Sequence, residues 1–218
     1  MAHTVRIIAA DLLTHDVKRI IVEKPEGYTF EPGQATEVSI NKPGFEDQKR
    51  PFTFTSIPKD FTLELIVKMY DREGVTKAFN EVNTNDELLI GDAWGAIKYE
   101  GPGYFIAGGA GLTPFLAILR TLEDQGKLKG NTLLYSNKYE KDIIQEIELE
   151  EMIDLEVVNT LTREKKDKYL HGRIDEAFLR EHVKDFSKKF YVCGTMEMTN
   201  DVVNVLKSMG VKDEQIIS

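Results

Sequence analysis

The stretch Tyr104-Phe-Ile-Ala-Gly-Gly-Ala-Gly-Leu-Thr-Pro114, continuing into Phe115-Leu-Ala-Ile-Leu-Arg120, decides how the chain is read. Tyr104 to Ala107 is an apolar run of the length of a buried parallel strand. Gly108, Gly109 and Gly111 then allow a sharp turn and let another molecule approach the backbone closely. Thr113 suits an N-cap and Pro114 the first helical position, so a helix is expected to start there. Phe115, Leu116, Ile118, Leu119 and Leu122 form its apolar side. Strand, tight turn and helix start together make a phosphate site, because free amides converge and the helix dipole adds roughly half a positive charge. Pro114 stands where the G-x-G-x-x-G fingerprint has its third glycine, so a plain strand-to-helix turn is the competing reading.

Beyond this stretch strands alternate with helices. Asn131–Tyr135, Leu155–Val158 and Phe190–Cys193 read as strands, with helices from Ile143, from Asp175 and from Thr199 to Met209. Such alternation implies a parallel sheet covered by helices on both faces. Before it, Val5–Ala9, Val17–Ile21, Thr36–Ile40, Phe61–Tyr70 and Glu87–Ile90 read as strands, and Gly74–Val82 as a short helix. Gly27, Pro32-Gly33, Pro43-Gly44 and Pro58 punctuate the strands at intervals typical of an antiparallel barrel or sandwich. Glu100-Gly-Pro-Gly103 is a short, stiff turn where the register changes. Two domains are therefore expected, an antiparallel β domain over 1–100 and an α/β parallel-sheet domain over 101–218.

Composition narrows the function. The 218 residues carry 41% hydrophobic and 30% charged side chains, a balance that supports a sizeable core. No apolar run approaches the ~20 residues that cross a bilayer. The N-terminal Met1-Ala-His-Thr-Val-Arg-Ile-Ile lacks a signal-peptide layout, so a cytoplasmic protein is expected. A net charge of −9 argues against general nucleic-acid binding. One cysteine, Cys193, excludes an internal disulfide and a cysteine-ligated iron–sulfur cluster within this chain. His3, His15, His171 and His182 show no metal-ligand spacing, and no metal is expected.

Arg50-Pro-Phe-Thr-Phe-Thr-Ser56 is the second signal. An arginine, an aromatic and hydroxyls on one extended segment suit a phosphate-bearing ligand, since arginine pairs with phosphate in bidentate fashion. Alternation puts Phe52 on the face of Arg50 and Thr53 on the other. A solvated edge strand is the alternative. This segment resembles the flavin-binding R-x-Y-S/T segment of the ferredoxin–NADP reductase superfamily. Phe30-Glu-Pro-Gly-Gln34 is similar to the F-x-P-G-Q turn that precedes it there. Gly74-Val-Thr76 resembles that superfamily's flavin-phosphate helix start, Gly108–Pro114 its dinucleotide pyrophosphate loop, and Tyr191-Val-Cys-Gly194 its strand beside the nicotinamide. The five motifs occur in the family's order, from Phe30 to Gly194.

The resemblance implies a flavin-binding β-barrel followed by a nucleotide-binding α/β domain. It implies FAD contacts at Arg50, Pro51 and Phe52, with Thr53 near the flavin's reactive nitrogen, and phosphate held at Gly74, Val75 and Thr76. Gly109, Ala110, Gly111, Thr113 and Pro114 would cradle the pyrophosphate of NAD(P)H. Ser136, Asn137 and Lys138 would meet the nucleotide, and Cys193 and Gly194 the nicotinamide; a buried apolar cysteine is the alternative for Cys193. Thr53 and Cys193 are the candidate catalytic residues. Hydride transfer between cofactors needs little acid–base help, so the lack of a catalytic histidine or carboxylate pair fits.

Several residues depart from the family pattern. Phe52 replaces the usual tyrosine, Thr195 a usual proline, and Asp92-Ala-Trp-Gly95 the common Gly-Pro-x-Gly turn, where Trp94 packs on a cofactor or on the barrel, packing on the barrel being the favoured expectation. The sequence ends Asp213-Glu-Gln-Ile-Ile-Ser218 without a flavin-stacking terminal aromatic. Lys138 and Lys141 suit a 2′-phosphate, whereas Asn137–Ile143 is similar to NADH-using cytochrome b5-type reductases; NADH is slightly favoured. The implied activity is reduction of bound FAD by NAD(P)H and electron delivery to a separate flavodoxin, ferredoxin or oxygenase component, by a monomer. The rivals are a flavin reductase using dissociating flavin and a non-catalytic flavin-binding subunit.

Overall fold

The computed structural model describes residues 2–70, 74–95 and 97–218. Close contacts divide the chain into two units: residues 1–98 with 113–121, and residues 99–112 with 122–218.

The first unit is built on six antiparallel strands: β1 (His3–Thr14), β2 (Val17–Glu23), β3 (Ala35–Ile40), β4 (Arg50–Thr53), β5 (Thr62–Lys68) and β6 (Glu87–Ile90). They pair in the order β4-β3-β6-β1-β2-β5, and a bridge between Phe54 and Leu65 joins the two ends. Closure removes the sheet edges, so a period-2 pattern fills one interior. Ile20 and Val22, Val38 and Ile40, Leu63, Leu65 and Val67, and Leu88 and Ile90 line it, with Phe54 and Phe79 among the fully buried side chains. β5 is shorter than its apolar run suggests; Phe61 stands outside the strand, 97% exposed. Gly74–Val82 forms helix α1 (Val75–Ala78) and a 3₁₀ turn, Phe79–Glu81. The buried Lys18 on β2 closes this segment, its Nζ donating to the carbonyls of Asn80 (2.8 Å) and Val82 (3.1 Å). A cation at the carbonyl end of a helical turn is electrostatically favourable.

The same unit takes in residues 113–121 of helix α2 (Thr113–Asp124). Arg120 on that helix donates to the Thr55 carbonyl and to Glu64 Oε1, both at 2.6 Å, and Thr55 Oγ1 donates to the same carboxylate at 2.7 Å. The Arg120 and Glu64 side chains are only 18% and 13% exposed, so the pair is largely withdrawn from water.

The second unit is a six-stranded sheet made of β7 (Gly103–Gly108), β8 (Thr132–Asn137), β9 (Glu156–Leu161), β10 (Leu170–His171), β11 (Lys189–Cys193) and β12 (Ile216–Ile217). The order is β10-β9-β8-β7-β11-β12, every pairing parallel. Tyr104, Ile106, Leu134, Phe190 and Val192 project from one face onto helices α4 (Glu176–His182) and α5 (Met196–Ser208). On the other face Tyr135 reaches the segment before helix α3 (Glu146–Glu151), accepting from the Ile144 amide at 3.3 Å. The Gly101 turn is pinned from within this unit. Tyr191 Oη accepts from the Glu100 amide and donates to the Gly101 carbonyl, both at 2.8 Å, and burial pushes its pKa up to about 12.

Three helix starts differ from expectation. Helical bonding begins with a 3₁₀ turn, Gly109–Leu112, that runs directly into α2, so Thr113 lies inside the helical segment and is not its N-cap. The helix expected from Ile143 starts at Glu146, because Ile143 is extended and Gln145 takes a left-handed conformation, φ 55°. α5 starts earlier than Thr199, since Thr195 caps it by accepting from the Met198 amide at 3.3 Å.

Candidate functional site

The parallel sheet marks one place by its topology. From β7 the chain steps through β8 and β9 on one side and then returns to the other side of β7 as β11. Loops leaving the carboxyl ends of β7 and β11 diverge there, and ligands of open α/β sheets sit at such a switch point. The diverging segments are Gly109–Leu112 and Gly194-Thr195.

The glycines of the first segment serve different ends. Gly109 takes φ 52°, and a side chain added there would meet nothing within 4 Å, so this residue keeps an open side toward an approaching ligand. Gly111 has no open side. A Cβ there would overlap the Cys193 carbonyl oxygen and lie 2.5 Å from the Cys193 carbonyl carbon and 2.7 Å from Gly194 Cα. Gly108 is filled from α5, where the Met198 thioether occupies the space of its missing side chain and also packs on Gly194. Close approach by a ligand is therefore a reading for Gly109, whereas Gly108 and Gly111 answer to packing within the protein. Helical bonding begins at Gly109, so the start of the helical segment lies in the turn that follows β7.

Tyr135, which sequence reasoning passed over as an ordinary strand residue, holds this loop. Fully buried, it donates from Oη to the Gly109 carbonyl at 3.2 Å, and burial keeps its hydroxyl protonated. No local pattern marks this role, because it depends on β8 lying beside β7. One turn further, Asn137 ends β8 with 5% exposure. The Asn137 amide lies beside the Tyr135 hydroxyl, the group that also holds the Gly109 carbonyl. Ser136 is half-buried and Lys138 exposed, and the Arg163 amide donates to the Lys138 carbonyl at 3.0 Å, bringing a second exposed cation to this edge. Lys141 lies over the Tyr139 ring, 5.7 Å from its centre. Cys193 is partly buried, and burial pushes its thiol up to about 11, so it is a neutral thiol at physiological pH.

On the barrel, β4 pairs with β3 in the register Ala35↔Thr53, Thr36↔Phe52 and Val38↔Arg50. Phe52 turns inward beside buried Thr36 and sets its ring edge against Phe79, centres 5.4 Å apart. Thr53 projects to the outer side, and its hydroxyl has no partner among the described residues. Pro51 and Arg50 are exposed; the guanidinium donates to the Lys49 carbonyl at 2.7 Å and meets no carboxylate among the described residues. Gly74, Val75 and Thr76 open α1, which has no side-chain cap and no acidic residue in its first turn. Trp94 is 50% exposed on the outside of the barrel, and its neighbour Ala93 packs against the core.

This donor set fits the cofactors. An uncompensated arginine and an uncapped helix start suit a diphosphate, and a free hydroxyl suits the polar edge of a ring. The open Gly109 and the buried polar Asn137 at the end of β8 suit a dinucleotide. Among the described residues no three His, Cys, Asp or Glu side chains gather as a metal site, and no helix is long and apolar enough to cross a membrane.

Residues 2–106 match the FAD-binding domain model and residues 105–204 the oxidoreductase NAD-binding domain model. NADH-cytochrome b5 reductase 1 of Eremothecium gossypii is 27% identical over 79% of this chain and 66% of its own length. The ferredoxin–NAD(P)(+) reductase component of the naphthalene 1,2-dioxygenase system of Pseudomonas putida is 23% identical over 96% of this chain. The chain spans 66% of the length of each of these two relatives. A ferredoxin NADP+ reductase from Neisseria gonorrhoeae, solved with bound FAD and NADP, shares the fold at a TM-score of 0.87 and 21% identity, covering 99% of this chain and 97% of that one. With a barrel matching one domain model and a switch-point sheet matching the other, the chain belongs to the ferredoxin–NADP reductase-like family of FAD- and NAD(P)-binding oxidoreductases.

Proposed function

We propose that the chain is an NAD(P)H-dependent reductase that passes electrons from NAD(P)H through bound FAD to a separate carrier such as flavodoxin or ferredoxin. The observation that carries this reading is the switch point, where the Gly109 turn lies flush on Cys193–Gly194 with its outer side open. In this reading Arg50, Pro51, Phe52 and Thr53, with Gly74, Val75 and Thr76, hold FAD. Gly109, Ala110, Gly111, Thr113 and Pro114 hold the dinucleotide pyrophosphate, Ser136, Asn137 and Lys138 the nucleoside, and Cys193 and Gly194 the nicotinamide. The bound flavin supplies the exchange between a two-electron hydride donor and a one-electron carrier.

The chain's own residues position and shield. Arg50 neutralises phosphate, Thr53 offers a hydroxyl at the ring edge, and Phe52 stiffens β4 against the barrel core. Cys193 contributes a neutral thiol, which neither attacks as a nucleophile nor places charge beside the nicotinamide. The reading also includes functional domains at 1–100 and 101–218, a monomeric state and a cytoplasmic location.

Visible absorption of the purified protein, followed anaerobically as NADH and then NADPH are added, tests it. A bound-flavin spectrum bleached by one nucleotide supports the proposal and identifies the donor. Colourless protein with saturable activity on added flavin would make it a flavin reductase. A flavin spectrum changed by neither nucleotide would refute the reading.

A further inference from the structure

Trp94 is attached to the barrel in an unusual way for a half-exposed indole. Its backbone forms a two-way bridge with Ala35: the Trp94 amide donates to the Ala35 carbonyl at 2.8 Å, and the Ala35 amide to the Trp94 carbonyl at 2.7 Å. Gly95 follows at φ 145°, and a Cβ there would lie 3.3 Å from Gln34 Cα, so the chain is pressed closely onto the start of β3. The backbone is thus held firmly while the side chain is left half in solvent.

The register says where that side chain points. Ala35 pairs with Trp94 on one side and with Thr53 on the other. Residues paired across neighbouring strands project to the same face, so Trp94, Ala35 and Thr53 form one outward row spanning about 10 Å. Thr36 and Val38, the inward neighbours on β3, are fully buried, which fixes the opposite face as the interior. In the row a small alanine separates an aromatic plate from a hydroxyl, and neither the Trp94 indole N–H nor the Thr53 hydroxyl has a partner among the described residues. None of the three belongs to the buried core of the barrel among the described residues. A planar heteroaromatic ring with acceptors along its edge would cover the alanine, lie against the indole and reach both donors.

We infer that Trp94 is a flavin-contact residue, its indole flanking the isoalloxazine ring that Thr53 meets at the polar edge. This rests on the proposed FAD site at Thr53 and adds to it a residue on another strand. Contact stacking supplies affinity, and an indole touching an excited flavin quenches its emission by electron transfer.

Trp94→Leu and Trp94→Phe, compared with the unaltered holoprotein, separate these effects. The leucine variant should bind FAD about tenfold more weakly, the scale of one lost aromatic stack, with bound-flavin emission raised several-fold and the visible band shifted. The phenylalanine variant should regain the affinity but keep the raised emission, because its ring stacks yet is a poor electron donor. A structural role alone would not produce that split. A leucine variant with unchanged affinity, emission and band would overturn the inference, as would weakened affinity with unchanged emission and band. Unaltered protein that binds no FAD would instead overturn the proposed function itself, so the two failures are distinct.

Discussion

Gly111→Ala tests whether this glycine serves the ligand or the protein. The added methyl would overlap the Cys193 carbonyl oxygen, with the Cys193 carbonyl carbon at 2.5 Å and Gly194 Cα at 2.7 Å. These are backbone atoms at the end of β11, whose pairing with β7 restrains them, so the Gly109–Leu112 turn must lift instead. Overpacking against a rigid wall costs roughly 1–3 kcal/mol. Gly111 does not have a positive φ, so the loss of unfolded-state freedom returns about 0.4–1 kcal/mol with no strain to offset. The midpoints of these ranges leave a net destabilisation of roughly 1.3 kcal/mol, or about 3–5 °C in Tm for a chain of this size. Thermal unfolding should show this drop with no nucleotide present, and the KM for NAD(P)H should rise as the turn moves off Cys193–Gly194. An unchanged Tm with a raised KM would mean that Gly111 is needed only for ligand approach, refuting the packing argument.

Arg50→Ala should lower the flavin retained through gel filtration while leaving thermal unfolding of the flavin-free protein unchanged; unaltered flavin content would remove Arg50 from the site. Arg120→Met strands the Glu64 carboxylate in a largely dry place and should cost about 3 kcal/mol in denaturant unfolding, whereas adding Glu64→Met should recover most of it. Additive losses would show that the pair is not coupled. Cys193 should titrate near pH 11 by ultraviolet thiolate absorbance, against 9.0 for an exposed thiol. Because its folded pKa is raised, the stability it contributes is present below about 9.0 and is lost as the pH climbs toward 11. A midpoint near 9 would disprove its burial. Cys193→Ala should slow hydride transfer to bound flavin with little loss of flavin; an unchanged transfer rate would leave Cys193 as packing.

Most strands were legible because their signals are local. Val38 and Ile40 alternate with Glu37 within one segment, and Tyr104–Ala107 is apolar throughout because both its faces are covered. The two-residue strands β10 and β12 carry no such signal, since Leu170-His171 and Ile216-Ile217 become strands only by lying beside β9 and β11. Helix starts were less legible than helices. Thr113 has the chemistry of an N-cap, but the preceding glycines let helical bonding begin four residues earlier, and Gln145 enters a left-handed turn that no composition rule demands.

The candidate site divides in the same way. By itself the sequence determined the order of the motifs, the glycine turn after an apolar strand, the arginine beside an aromatic and hydroxyls, and so the two-domain class. Each of these is a property of neighbouring residues and survives without coordinates. Only the tertiary structure decided that Gly111 is required by Cys193, that Tyr135 holds Gly109, that Asn137 is buried beside Tyr135, and that Trp94 shares a row with Thr53. Those relations join residues tens of positions apart through strand pairing and register, and a one-residue slip in any pairing would turn the same side chains to the opposite face.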